Sequence, residues 1–148
     1  MKVLIQRVKN AGVDIDGKSF SRTGKGIMAL VGIEKGDTRE QVEKLAKKVV
    51  NLRIFPDEND KMNLSLLDIQ GEILIVSQFT LCGDCKKGTR PSFDKSAPPD
   101  IANELYEYFI SQVKGYGIKT GTGQFGAMMD VSLVNDGPVT FMLEAQNV

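Results

Sequence analysis

VSLVNDGPVTFML, residues 131–143, is the stretch on which the fold turns. Its β-branched and apolar residues favour extended chain, yet a proline stands in the middle. Proline brings no N–H to a ladder and is confined to an edge, a strand start, a turn or a bulge, while the glycine before it opens backbone angles closed to other residues. Asn135-Asp136-Gly137 is turn chemistry, so local rules predict a tight turn joining Val131–Val134 to Val139–Leu143. The sharper alternative is a cis Gly137-Pro138 bond. Only about 5% of X-Pro bonds in folded proteins are cis, so support for it must come from elsewhere in the chain.

The 148 residues, 41% of them hydrophobic, suit one domain, residues 1–148, able to bury a core without metal or disulfide staples. Lys plus Arg and Asp plus Glu each number 19. No global field therefore draws the chain to nucleic acid or an anionic membrane, and any such contact must be local. No apolar run approaches the roughly 20 residues of a spanning helix, and Met1-Lys2 leads straight into VLIQRV without a signal-peptide layout. The expected location is the cytosol, with no membrane partner. Histidine is absent, which excludes Ser-His and Cys-His nucleophile pairs, imidazole bases and His-containing zinc sites. Carboxylates, hydroxyls, backbone donors or a group on the substrate remain to activate water.

Working outward from 131–143, residues 2–8 and 11–20 read as strands, the second carrying Asp16-Gly17 as a turn signal, and 26–33 as a short apolar strand. Asp37 and Glu40 form a capping-box pattern ahead of Val42, Leu45, Ala46, Val49 and Val50 at helical spacing, predicting a helix over 38–52. Residues 55–61 read as a polar loop and 72–81 as a continuous buried strand. Pro98-Pro99-Asp100 opens a second helix that Gly115 or Gly117 stops. Two more strands follow. The order predicts a single α+β domain with a mixed, mostly antiparallel, barrel-like sheet and two main helices.

Three features carry candidate chemistry. Cys82-Gly83-Asp84-Cys85 matches a redox C-x-x-C after a strand, but Cys85 runs into loop rather than the helix that would lower a thiol pKa, and two unrelated loop cysteines are the plainer reading. Lys86, Lys87, Arg90 and Lys95 lie in the long segment 82–99 and suit either an RNA backbone or a solvated loop. Ser77-Gln78-Phe79-Thr80 closes the most apolar strand with polar side chains, where a sheet end offers free N–H groups for an oxyanion. Thr80 has no base beside it in sequence to make it a nucleophile.

Together, Gln6-Arg7-Val8, NLRIFPDENDKMNLSLLDIQGE at 51–72, SQFTL at 77–81, KKGTRPSF at 86–93 and SLVNDGPVT at 132–140 make the chain similar, end to end, to the bacterial D-aminoacyl-tRNA deacylases. The resemblance implies a cytoplasmic homodimeric hydrolase that cleaves the ester of D-aminoacyl-tRNA, and of glycyl-tRNA mischarged on tRNA-Ala. It needs no cofactor or metal, and its partner is tRNA rather than DNA. It implies that Gly137-Pro138 is cis and enters the partner subunit's pocket, where two carbonyls face the substrate amino group and leave no room for an L side chain. Ser77, Gln78, Phe79 and Thr80 match the catalytic motif, with the N–H near Phe79 at the ester carbonyl and the substrate's own ribose 2′-hydroxyl helping to activate water. Arg7 matches the arginine that holds the Gly-Pro loop. Phe125 and Met129 match residues near the terminal adenine. Cys82 and Met128 depart from the family, which usually has an aromatic and an acidic residue there.

Overall fold

The computed structural model describes residues 1–146. Eight strands and three helices follow one another as β1 (Lys2–Ile15), β2 (Lys18–Thr23), β3 (Gly26–Gly32), α1 (Arg39–Asn51), β4 (Phe55–Pro56), β5 (Met62–Leu64), α2 (Leu66–Ile69), β6 (Glu72–Ser77), α3 (Pro99–Gly115), β7 (Lys119–Thr122) and β8 (Asp130–Glu144). A 3₁₀ turn over Phe79–Cys82 follows β6. Six strands make one mixed sheet, in which β1 is antiparallel to β2, β3 and β8, and β3–β6 and β6–β7 are parallel. The parallel pairs require crossovers, which α1 and α3 supply. This is the barrel-like α+β domain expected, with the third helix a single turn.

The sheet buries both faces, because successive side chains point to opposite sides of a strand. On one side Val3, Ile5, Ile27, Ala29, Val31, Ile73 and Ile75 meet the apolar stripes of α1 and α3. On the other, Val8, Ala11, Val13, Met28, Leu74 and Val76 form a second core, against which Met129 and Leu133 pack.

Residues 131–143 do not fold back as a hairpin. They belong to the single strand β8, which runs antiparallel to β1 along nearly its whole length, from Lys2↔Glu144 to Asp14↔Asp130. Gln6 pairs with Thr140 and Val8 with Asn135, so Asp136, Gly137, Pro138 and Val139 all stand opposite Arg7. Proline is accommodated in a bulge, where no ladder bond is asked of it, and the Gly137-Pro138 bond is cis.

Other boundaries shift for local reasons. β1 and β2 meet in a two-residue turn with φ 53° at Asp16 and 74° at Gly17, the pairing of positive angles that Asp-Gly favours. The N-cap of α1 is Thr38, not Asp37: Gln41 Oε1 accepts from the Thr38 N–H at 2.7 Å and from its hydroxyl at 2.8 Å. Asp37 serves elsewhere. Its carboxylate takes the buried Met1 ammonium at 2.8 Å and the Glu34 N–H at 2.6 Å. The first two residues of the expected loop 55–61 are instead strand β4, the rest connects it to β5 in a small hairpin, and Ser65 caps α2 by accepting from the Asp68 N–H. β6 ends at Ser77 rather than residue 81. The Gln78 N–H makes a last bond to Val31 O at 2.8 Å, and Leu81 and Cys82 then turn onto Gly32, where a Cβ would lie 3.0 Å from the Leu81 Cβ.

Candidate functional site

Two groups of residues stand out, at opposite parts of the sheet. The first is the bulge. Gly137 and Pro138 are exposed at its crest, and a Cβ at 137 would lie 2.0 Å from the Val139 nitrogen, so only glycine fits. Arg7, on β1 directly beneath, donates from Nε to Asp136 O at 2.8 Å and from an η nitrogen to Ile54 O at 2.7 Å. Its guanidinium also stands 3.5 Å from the Asp136 carboxylate. Asn135 completes the clamp: Nδ2 donates to Arg7 O and Val139 O, both at 3.0 Å, and Oδ1 accepts from the Val139 N–H at 3.2 Å. One side chain thereby ties β1 to the residue that follows the cis bond. Sequence reasoning treated Asn135 only as a turn former. Its actual role depends on the pairing of β1 with β8, which local rules do not see.

The second group is the end of β6. Ser77 and Gln78 are half-buried, whereas Phe79 and Thr80 are exposed, Phe79 to 56%. As the first residues of a 3₁₀ turn, Phe79 and Thr80 carry N–H groups with no acceptor inside the helix. The Gln78 side-chain amide donates to the Thr80 hydroxyl, and an amide nitrogen is no base. The Phe79 ring meets Phe93 edge-on, with centroids 5.1 Å apart.

The chain segment after β7 passes the same strand end. The Gly123 N–H bonds Ile75 O at 3.1 Å, as does the Tyr106 hydroxyl at 2.8 Å. Phe125 stands 6.2 Å from the Tyr106 ring, and Met129 Sδ packs over Gly123. Phe125 and Met129 therefore flank the end of β6, while Met128 is 91% exposed. Burial pushes the thiol pKa of Cys82 up and the Tyr106 hydroxyl well above the tyrosine range, which keeps both protonated at neutral pH. Cys82 and Cys85 are both free thiols, one buried and one exposed.

Within one chain the two groups do not meet. Ser77 is in register with Val31, and Val31 with Val3, four residues short of Arg7. That offset, with three strand spacings from β6 to β8, separates the bulge from the 3₁₀ turn by on the order of 20 Å along the sheet.

The chain thus presents an exposed, clamped Gly137-Pro138 bulge and, apart from it, a strand end with free N–H groups, and it contains no imidazole. The family model described as D-Tyr-tRNA(Tyr) deacylase matches residues 4–144, and the chain belongs to that family. Among similar proteins, the D-aminoacyl-tRNA deacylase of Thermosipho africanus is 59% identical over 148 residues, covering 100% of this chain and 99% of that protein. That of Haemophilus influenzae is 60% identical over 143 residues, covering 97% and 99%. A solved structure described as c-Myc DNA Unwinding Element Binding Protein superposes with a TM-score of 0.93 at 40% identity, covering 99% of this chain and 100% of that one. A probable eukaryotic D-amino acid tRNA deacylase shares the fold, with a TM-score of 0.83 at 20% identity over 96% and 97% of the two chains. Family membership makes this chain an enzyme of the hydrolase class, a deacylase.

Proposed function

We propose that this chain is a homodimeric D-aminoacyl-tRNA deacylase of the cytoplasm, and that each active site joins Ser77, Gln78, Phe79 and Thr80 of one subunit to Gly137 and Pro138 of the other. The observation that carries this reading is the exposed, clamped cis Gly137-Pro138 bulge, too far from the 3₁₀ turn of its own chain to share a pocket with it. A second copy supplies the missing half. Among the described residues β8 pairs with β1 alone, leaving an unpaired edge, and it exposes Val134, Phe141 and Met142, apolar surface of the kind that subunits cover.

In this mechanism water attacks the acyl carbon, the bond from that carbon to the ribose oxygen breaks, the proton passes to that oxygen, and a free D-amino acid and tRNA result. The Phe79 N–H receives the negative charge developing on the carbonyl oxygen, and the ribose 2′-hydroxyl of the substrate helps to activate the water. Carbonyls of Gly137 and Pro138 hold the substrate ammonium and exclude an L side chain, a selection by clash rather than by affinity. Glycine has no side chain to exclude, so glycyl-tRNA mischarged on tRNA-Ala is also a substrate. Phe125 and Met129 offer a ring and a thioether to the terminal adenine. With an even charge balance, the contact with tRNA is local rather than driven by a global field. Deacylation of D-Tyr-tRNA and L-Tyr-tRNA by the pure protein tests the reading: D-specific cleavage by a dimer is expected, and equal rates on the two esters, or a monomer that remains active, would overturn it.

A further inference from the structure

The long segment after the 3₁₀ turn is not a loose loop. Asp84 and Ser92 bridge it with two backbone bonds of 2.7 and 2.9 Å, Phe93 leans on Phe79, and at its far end the Lys35 and Ala97 N–H groups bond Lys95 O and Ile33 O. A cavity of about 310 Å³ opens beside it, and Lys2, Lys86 and Lys95 all line it. A single carboxylate, Asp84, shares the cavity. That carboxylate accepts from the Lys86 N–H at 2.9 Å and stands 3.9 Å from the Lys95 ammonium. Among the described residues, Lys2 and Lys86 have no carboxylate within ion-pair distance. The Lys86 N–H and the three ammonium groups hold the Asp84 carboxyl below the usual carboxylate range, which reports a positive local field.

In a chain of 19 cationic and 19 acidic residues, such a local surplus is where a polyanion would be met. We infer that the Lys2, Lys86 and Lys95 cavity binds a backbone phosphate of the tRNA 3′ strand, upstream of the terminal adenosine. This rests on the deacylase reading above, and it places the contact next to the turn that carries Phe79. The aromatic contact with Phe93 ties the two, so the phosphate site holds the acceptor end in register with the ester.

The test compares two esters, D-Tyr-tRNA and the nucleoside ester D-tyrosyl-adenosine, which lacks phosphates, on the wild type and on the double variant Lys86→Gln, Lys95→Gln. KM for the tRNA ester should rise on the order of tenfold near 0.1 M salt, and the slope of log KM against log salt should shrink by about one per lysine. Cleavage of the nucleoside ester should stay unchanged. Equal effects on both esters, or on neither, would overturn the inference. Exposed Cys85 lines the same cavity and gives a readout without catalysis: deacylated tRNA should slow its alkylation in the wild type and not in the variant. If the wild type cleaves neither ester, the deacylase reading fails, and the Cys85 footprint still decides whether the cavity takes RNA.

Discussion

Removing the Asn135 side chain strips three bonds at once from the segment that presents the cis peptide. In Asn135→Ala, the carbonyls of Arg7 and Val139 lose their donor and the Val139 N–H its acceptor, and Val139 is buried to 7% exposure. At about 1 kcal/mol per bond, with water replacing part of the loss at a half-buried site, the cost is about 2–3 kcal/mol. With an unfolding entropy of about 0.3 kcal/mol/K for a chain of this length, that lowers Tm by about 6–10 °C. Asn135→Asp sharpens the test. It keeps nearly the same shape and the oxygen that accepts from Val139, but turns an oxygen toward two carbonyls, so its loss should equal or exceed that of alanine. Thermal unfolding followed by circular dichroism, with D-Tyr-tRNA and L-Tyr-tRNA deacylation on the same samples, reads both consequences. The D/L rate ratio should fall as the bulge loses its fixed position. A Tm within about 1 °C of wild type, or an Asp variant that behaves as wild type, would refute the reasoning, since either means the three bonds do not hold the segment.

Thr80→Ala should retain most of the deacylation rate, because the hydroxyl is engaged by Gln78 and no base adjoins it; an inert variant would show that the hydroxyl acts chemically. Alkylation should label exposed Cys85 well before Cys82, whose thiol burial holds in its protonated form, and a Cys82→Ser, Cys85→Ser variant should deacylate normally. Loss of function there would favour the redox alternative. Asp57, Asp68 and Asp84 have pKa values lowered chiefly by the backbone N–H groups of Lys61, Ser65 and Lys86. A carboxyl with a lowered folded-state pKa adds stability above its unfolded value and loses it as pH falls through the folded one. Urea midpoints should therefore be flat near neutrality and decline below the ordinary value of 3.8, and Asp57→Asn with Asp68→Asn should shrink that decline.

Features written in adjacent residues were legible in the sequence. Asp16-Gly17 marks its turn, the double proline opens α3, and the apolar spacing of α1 places its buried face. What escaped depends on partners distant in sequence. Asp37 has the right spacing to cap α1, yet the Met1 ammonium, 36 residues away, claims its carboxylate. The apolar run through Leu81 and Cys82 has no signal separating a strand from a 3₁₀ turn packed on Gly32. Asn135-Asp136-Gly137 obeys the rules of a hairpin turn, and only the β1 ladder, some 130 residues earlier, converts it into a bulge. For the site, the residue types of SQFT and Gly137-Pro138 were visible, as was the place of Arg7 by resemblance. The part played by Asn135 and the distance between the two motifs in one chain required the sheet.

The pairing of β1 with β8 sets residue 2 against residue 144, and the Met1 ammonium against Ala145 O. During synthesis the first strand emerges long before the last, so β1 must wait, with one edge open, while the intervening chain is made. The barrel cannot close until residue 144 has cleared the ribosome. A nascent chain stalled before Gly137 would present the unpaired edge of β1 to whatever strand lies nearest, an edge that only the last strand covers.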